Sequence, residues 1–134
     1  MDAYEWVSEG KELARLNKHS EAIECYEKAI EIGPKSSDEW VEAWEKKAES
    51  HTELKLYQDA VVCYDTLIDF IESTSSERAA KLLLKKAICF RMLKLNELAL
   101  YFCEKSLEIS ENSSQAWDEK GNILEALMRF EDAA

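Results

Sequence analysis

The sequence predicts an all-α protein built of stacked antiparallel helix pairs, about three and a half of them in 134 residues. Three observations carry the prediction. Only three Gly and one Pro interrupt the chain, too few for the many tight turns of a sandwich or barrel. Apolar residues recur at three- and four-residue intervals, as in Ala22, Ile23, Tyr26, Ala29 and Ile30. The chain also repeats itself: Trp6, Trp44, Leu83 and Trp117 are separated by 38, 39 and 34 residues. The sets Gly10/Ala48/Ala87/Gly121, Leu16/Leu54/Leu93/Leu127 and Ala22/Ala60/Ala99/Ala133 keep those same spacings. One helix pair cannot bury its apolar face alone, so the units must stack.

Taken in order, the periodicity predicts helices over 3–16 and 19–32, 38–54 and 57–72, and 77–93 and 96–110. A seventh is expected over 114–127, with an eighth begun near Glu131. Asn17–Lys18, Lys55–Leu56 and Lys94–Leu95 fall at one repeat position and serve as the tight connections within pairs. Ser36-x-x-Glu39 and Thr74-x-x-Glu77 fit capping boxes. The extra residues around them therefore extend the next helices N-terminally. Small residues at Gly10, Ala48, Ala87 and Gly121 let paired helices approach closely, and the large Trp or Leu near each start fills the space between repeats. At the far end Asp118, Glu119, Lys120 and Asn122 give the seventh helix the polarity of a cap, while Leu127, Met128, Phe130 and Ala133 continue the core pattern. The sequence thus reads as part of a longer array, with exposed repeat ends through which two copies would pair as a homodimer.

These residues resemble the tetratricopeptide repeat, a helix–turn–helix unit with the pattern W-x2-L-G-x2-Y…A-x3-F…P. The first repeat supplies Trp6, Gly10, Ala22, Tyr26, Ala29 and Pro34; the second supplies Trp44, Ala48, Ala60 and Tyr64, then Leu67 where the family prefers a small residue. The third has Leu83, Ala87, Phe90, Ala99, Cys103 and Ser106, and the fourth Trp117, Gly121, Leu124 and Ala133. The resemblance covers nearly the whole chain. It implies one right-handed solenoid domain over 1–134, with repeats at 3–36, 37–74, 75–112 and an incomplete 113–134.

Composition bounds the chemistry. With 28 acidic and 17 basic side chains the formal net charge is −11, which repels a phosphate backbone and argues against nucleic acid. No apolar run approaches the roughly 20 residues of a membrane span. The start, MDAYEWVSEGK, lacks the basic-then-apolar order of a secretory signal, so a cytoplasmic location is expected. Cys25, Cys63, Cys89 and Cys103 are too scattered for a metal or redox motif and read as buried free thiols. His51 stands where the family usually has Tyr and reads as a packing residue; His19 is expected to be solvated in a turn, and Glu12, Glu24 and Glu27 to line solvated faces. No phosphate loop, H-E-x-x-H or G-x-S-x-G occurs, so neither a cofactor nor catalysis is expected.

What remains is a binding surface for a protein or peptide. The resemblance implies a concave groove lined by the first helix of each repeat. Its positions fall on Tyr4, Val7, Ser8, Lys11 and Arg15; on Glu42, Glu45, Lys46, Glu49 and Glu53; on Lys81, Leu84, Lys85, Ile88 and Met92; and on Gln115, Asp118, Asn122 and Ala126. Glu42, Glu45, Glu49 and Glu53 form an acidic stripe, and Lys81 with Lys85 a basic pair. The two either pair within the molecule or select a peptide of matching charge. Val7, Leu84, Ile88 and Met92 offer an apolar strip for a partner helix, or pack internally. Some family members hold chaperone C-termini with a carboxylate clamp of Lys, Asn, Asn, Lys and Arg. Here Lys81 matches and Lys85 replaces the Arg, but Val7 replaces the first Lys, and Lys11 and Lys46 stand where the two Asn belong. The reading is an interaction scaffold; the alternatives are a regulatory or targeting part of a larger enzyme and a self-assembly module.

Overall fold

A computed structural model describes residues 1–71 and 76–133, the side chains of Ser76 and of 130–133 apart. Among the described residues there are seven helices: α1 (Ala3–Arg15), α2 (His19–Ile32), α3 (Asp38–Glu53), α4 (Tyr57–Ile71), α5 (Ser76–Met92), α6 (Asn96–Ile109) and α7 (Ser114–Ala133). They fall into two compact units, Met1–Phe70 and Ile71–Ala134.

The three connections within pairs share one backbone solution. Asn17, Lys55 and Lys94 take left-handed φ values of 63°, 62° and 66°. The next amide in each case reaches back five residues: Lys18 to the Leu13 carbonyl at 2.8 Å, Leu56 to His51 at 2.8 Å and Leu95 to Phe90 at 2.9 Å. Each turn thereby satisfies carbonyls that a helix end leaves orphaned. Capping at the helix starts is more varied. Asp2 and Glu5 close a reciprocal capping box on α1. At α3 the cap is Ser37, whose Oγ accepts from the Trp40 amide at 3.2 Å. The expected Ser36 cap is displaced by one residue, because Ser36 itself turns the chain at φ 76°. Thr74 lies outside the described residues. The insertions do lengthen α3 and α5 at their starts, to 16 and 17 residues against 13 in α1.

One core cluster of the first unit is Val7, Ala22, Tyr26, Ala29 and Ala43, flanked by Trp6, Leu13 and Ile30. Gly10 has a specific job there. A Cβ at this position would stand 2.5 Å from Tyr26 Cε1, so the missing side chain is what lets the Tyr26 ring lie against α1. In the second unit Leu84, Ala87, Ala99, Cys103, Leu107, Ala116 and Ile123 form the core, with Ile88, Phe90, Phe102 and Leu127 packed on it. Buried hydrogen bonds help stitch this unit: Ser106 Oγ donates to the Ala80 carbonyl at 2.8 Å, and Cys103 Sγ to the Ala116 carbonyl at 3.3 Å.

The seventh helix departs from expectation. It runs unbroken to Ala133, through the position where the earlier repeats turn and where an eighth helix was expected to begin. Met128 stands where Asn17, Lys55 and Lys94 turn the chain, and the Leu127–Met128–Arg129 run is made of good helix formers that carry the helix on. Glu119 does not belong to a polar outer face either. It is 7% exposed and ion-paired with Arg91 of α5. Met128, expected in the core, is 64% exposed.

Candidate functional site

In the first unit the expected groove residues are largely engaged with one another. Lys11 Nζ sits 3.2 Å from Glu42 Oε2, and Lys46 Nζ 3.4 Å from Glu49 Oε2. Glu45 also has a partner. Arg15 pairs with Glu12, which holds that carboxyl below its usual range. Tyr4, by contrast, is 67% exposed. Val7 offers a ligand no surface: it is 2% exposed, buried with Ala22 and Tyr26. Such half-exposed ion pairs hold little energy, below about 1 kcal/mol each. Their effect is to occupy the two lysines that stand in the clamp's Asn positions.

The second unit is different. A cleft of about 870 Å³ opens between α5, the end of α6 and the start of α7. Lys81, Leu84, Lys85 and Ile88 come from α5 at helical spacing, so one face of that helix forms a wall with apolar and cationic residues interleaved. The facing side is built from Ser110, Asn112, Ser113, Ser114 and Gln115, with Asp118 and Glu119 beyond them. Lys81 and Lys85 are exposed, and among the described residues neither makes an ion pair. The carboxylate of Glu119 is committed to Arg91. The cleft therefore combines two available cations, an apolar floor, a rim of small hydroxyl and amide groups and, at its edges, the carboxylates of Glu77 and Asp118, so the place for an acidic side chain of a peptide is beside Lys81 and Lys85.

Of the expected groove residues, Lys81, Leu84, Lys85, Ile88, Gln115 and Asp118 meet at this cleft, while Met92, Asn122 and Ala126 do not line it. The α6–α7 connection was missed by sequence reasoning. Its signal was the polar run Ser110–Glu111–Asn112–Ser113–Ser114, which no periodicity assigns to a face.

Several titratable groups elsewhere are buried or half-buried. All four cysteines are free and buried, as expected. Burial pushes the Cys63 and Cys103 thiols up to about 11, which keeps them protonated and unreactive. Burial likewise raises Tyr26 to about 12. His51 is half-buried with its Nδ1 unpartnered, and desolvation lowers its pKa. His19, expected in solvent, is half-buried at the start of α2 with Nδ1 3.3 Å from Ser50 Oγ. The physical reason is that Ser50 is itself 2% exposed and gains a partner from the imidazole. Among the described residues no group of three or more His, Cys, Asp or Glu is placed to hold a metal ion, and no helix is long and apolar enough to cross a membrane.

Comparison with known proteins agrees with this architecture. Residues 3–36 match the tetratricopeptide repeat family. Curated protein sequences give no match. Among solved structures, the first such domain of human RPAP3 superimposes with a TM-score of 0.79 at 22% identity, covering 98% of this chain and 97% of that one. The first tetratricopeptide domain of Spaghetti (RPAP3), bound to the HSP90 peptide SRMEEVD, gives 0.78 at 22% identity over 95% and 94%. The TPR2AB domain of yeast Sti1, in a pHSP90 complex, gives 0.79 at 18% identity over 96% of this chain, which spans 48% of its length. At these identities the likeness is one of fold.

Proposed function

We propose that this chain, a tetratricopeptide-repeat protein by the sequence of its first repeat and by its fold, is a protein-interaction scaffold without catalysis of its own. Its ligand is an acidic peptide segment seated in the cleft of the second unit. One observation carries this reading: Lys81 and Lys85 stand exposed, without an ion pair among the described residues, beside the apolar floor of Leu84 and Ile88. Ammonium groups bind carboxylates as point charges, so they tolerate varied ligand geometry. Leu84 and Ile88 take one apolar side chain between the charges, and Asp118 on the far side disfavours an acidic residue there, which sets direction.

The ligands of fold relatives supply the probes. SRMEEVD is bound in the Spaghetti structure, and the second domain of human RPAP3 is in complex with the HSP70 peptide SGPTIEEVD. Both end in Glu-Glu-Val-Asp, three acidic side chains with one apolar residue among them. In this chain Lys11 and Lys46 are occupied by Glu42 and Glu49, so capture of such a tail rests on α5. Fluorescence anisotropy with the two peptides, each with a free or amidated C-terminus, tests the reading. Lys81→Glu/Lys85→Glu is expected to weaken binding by about tenfold or more, while Lys11→Glu leaves it nearly unchanged. Equal binding by wild type and the double variant, or none by the wild type, overturns it.

The four buried thiols fit a reducing, cytoplasmic setting, and the net charge of −11 fits a protein ligand rather than nucleic acid. We also propose that the repeats at 3–36, 37–74, 75–112 and 113–134 work as one domain. A single cooperative unfolding transition supports that; two separate transitions oppose it.

A further inference from the structure

The cleft of the second unit carries a charge order along its length. On the α5 wall Glu77, Lys81 and Lys85 follow one another at about 6 Å per step, and Ile88 stands about 4.5 Å further on. The end of α6 is fixed near Glu77, where Ser106 Oγ donates to the Ala80 carbonyl at 2.8 Å. At the other end Arg91, three residues past Ile88, holds Glu119, so the neighbouring Asp118 stands at the Ile88 end. From one end to the other the cleft presents an acid, two cations and an acid. All four side chains are exposed, and none makes an ion pair among the described residues. Glu77 also complements the dipole at the start of α5. Asp118 lies beyond the first turn of α7 and has no such role.

An extended peptide matches this ruler. Its alternate side chains point the same way and stand about 6.6 Å apart, close to one step of the wall. Acidic residues at i and i+2 therefore reach Lys81 and Lys85 together, while the residues at i−2 and i+4 fall beside Glu77 and Asp118. The facing rim, with Ser110, Asn112 and Gln115, is uncharged and serves the peptide main chain. A peptide ending in Glu-Glu-Val-Asp with a free C-terminus brings four negative charges to two cations, and the surplus falls toward Glu77 or Asp118.

Building on the reading of this cleft as the peptide site, we propose that its preferred ligand is an internal segment of the form basic-x-acidic-x-acidic-x-basic. The acidic pair sits on Lys81 and Lys85, and the basic residues sit on Glu77 and Asp118. The two end carboxylates thus select against longer acidic runs, which the lysines alone would accept.

Three peptides test this by calorimetry, each acetylated and amidated so that no terminal charge remains: KAEVEAK, AAEVEAA and EAEVEAE. Their charge order reads alike in either direction. The wild-type chain is expected to bind them in that order, with about threefold between neighbours. Glu77→Gln/Asp118→Asn, two isosteric changes at exposed positions, is expected to bring the three affinities together. Asp118→Lys is expected to lift EAEVEAE above KAEVEAK. An order that persists in the Gln/Asn variant overturns the proposal, since it would reflect only the attraction of a chain of net charge −11 for basic peptides. Equal affinities in the wild type, all lost in Lys81→Glu/Lys85→Glu, overturn it too and leave the cleft standing as the peptide site. No binding of any of the three or of SRMEEVD overturns both.

Discussion

Helices α1 and α7 begin as copies of one sequence idea and end as opposites. Both place a Trp four residues ahead of a Gly, yet Gly10 is buried under Tyr26 and Gly121 faces open space. The same residue is therefore a packing requirement in one helix and a conformational cost in the other. A repeat position has no fixed energetic meaning; the neighbour decides it.

The largest effects should come from breaking that contrast. Gly10→Ala forces a methyl into the Tyr26 ring and is expected to cost about 2–3 kcal/mol by denaturant unfolding, an overpacking penalty. Gly121→Ala is expected to change stability in the opposite direction, by roughly 0.5–1 kcal/mol, because only helix propensity is at stake. Equal signs for the two would remove the contrast.

Next comes the Arg91–Glu119 pair in the second unit. Arg91→Met strands a carboxylate that is 7% exposed, and a loss of about 2–3 kcal/mol is expected, somewhat below a fully buried pair because Arg91 keeps partial contact with water. Restoration by the added Glu119→Gln would identify the stranded charge as the cause. The first unit's Lys11–Glu42 pair, equally visible as geometry, is exposed on both sides. Lys11→Met is expected to change stability by less than about 1 kcal/mol.

The smallest effect is a pH dependence. Desolvation lowers the pKa of His51 in the folded state, so the unfolded chain takes up its proton more readily. Stability is therefore lost as pH falls through the unfolded value near 6.5 and on toward the depressed folded value, and is fully present above it. His51→Phe should flatten that part of the pH profile. It should also raise stability at pH 7 by roughly 1 kcal/mol, since a buried nitrogen without a partner is removed. An unchanged slope between pH 7 and pH 5 would show that another group titrates there.

Much of this architecture was legible in the sequence because repeats report three-dimensional equivalence directly. The helix pairs, the three turn positions and the small-residue contacts at Gly10, Ala48 and Ala87 all derive from spacings. What the spacings could not report was occupancy. Lys11 and Lys81 look alike as groove lysines, yet one reaches Glu42 and the other has no ion pair among the described residues. Val7 and Ile88 both read as apolar groove positions, yet Val7 is sealed beneath α2. His19 turned inward because a buried Ser50 needed a partner, a demand that arises only when residues 31 apart meet. Helix α7 continued past the expected turn through Leu127, Met128 and Arg129, all good helix formers, because a repeat spacing marks a position without reporting the conformation its residues adopt.

The three left-handed turns have a consequence of their own. At Asn17, Lys55 and Lys94 the same left-handed residue and the same main-chain hydrogen bond close the turn between paired helices. Two of these positions hold lysine, which occupies the left-handed region at a cost of about 1–2 kcal/mol that glycine would not incur. Each hairpin is thus a cassette with a standard joint and a reserve of stability left undrawn. The joint stays constant whatever the faces display, so exposed residues of α5 can be changed without re-engineering the Lys94 hinge that follows it.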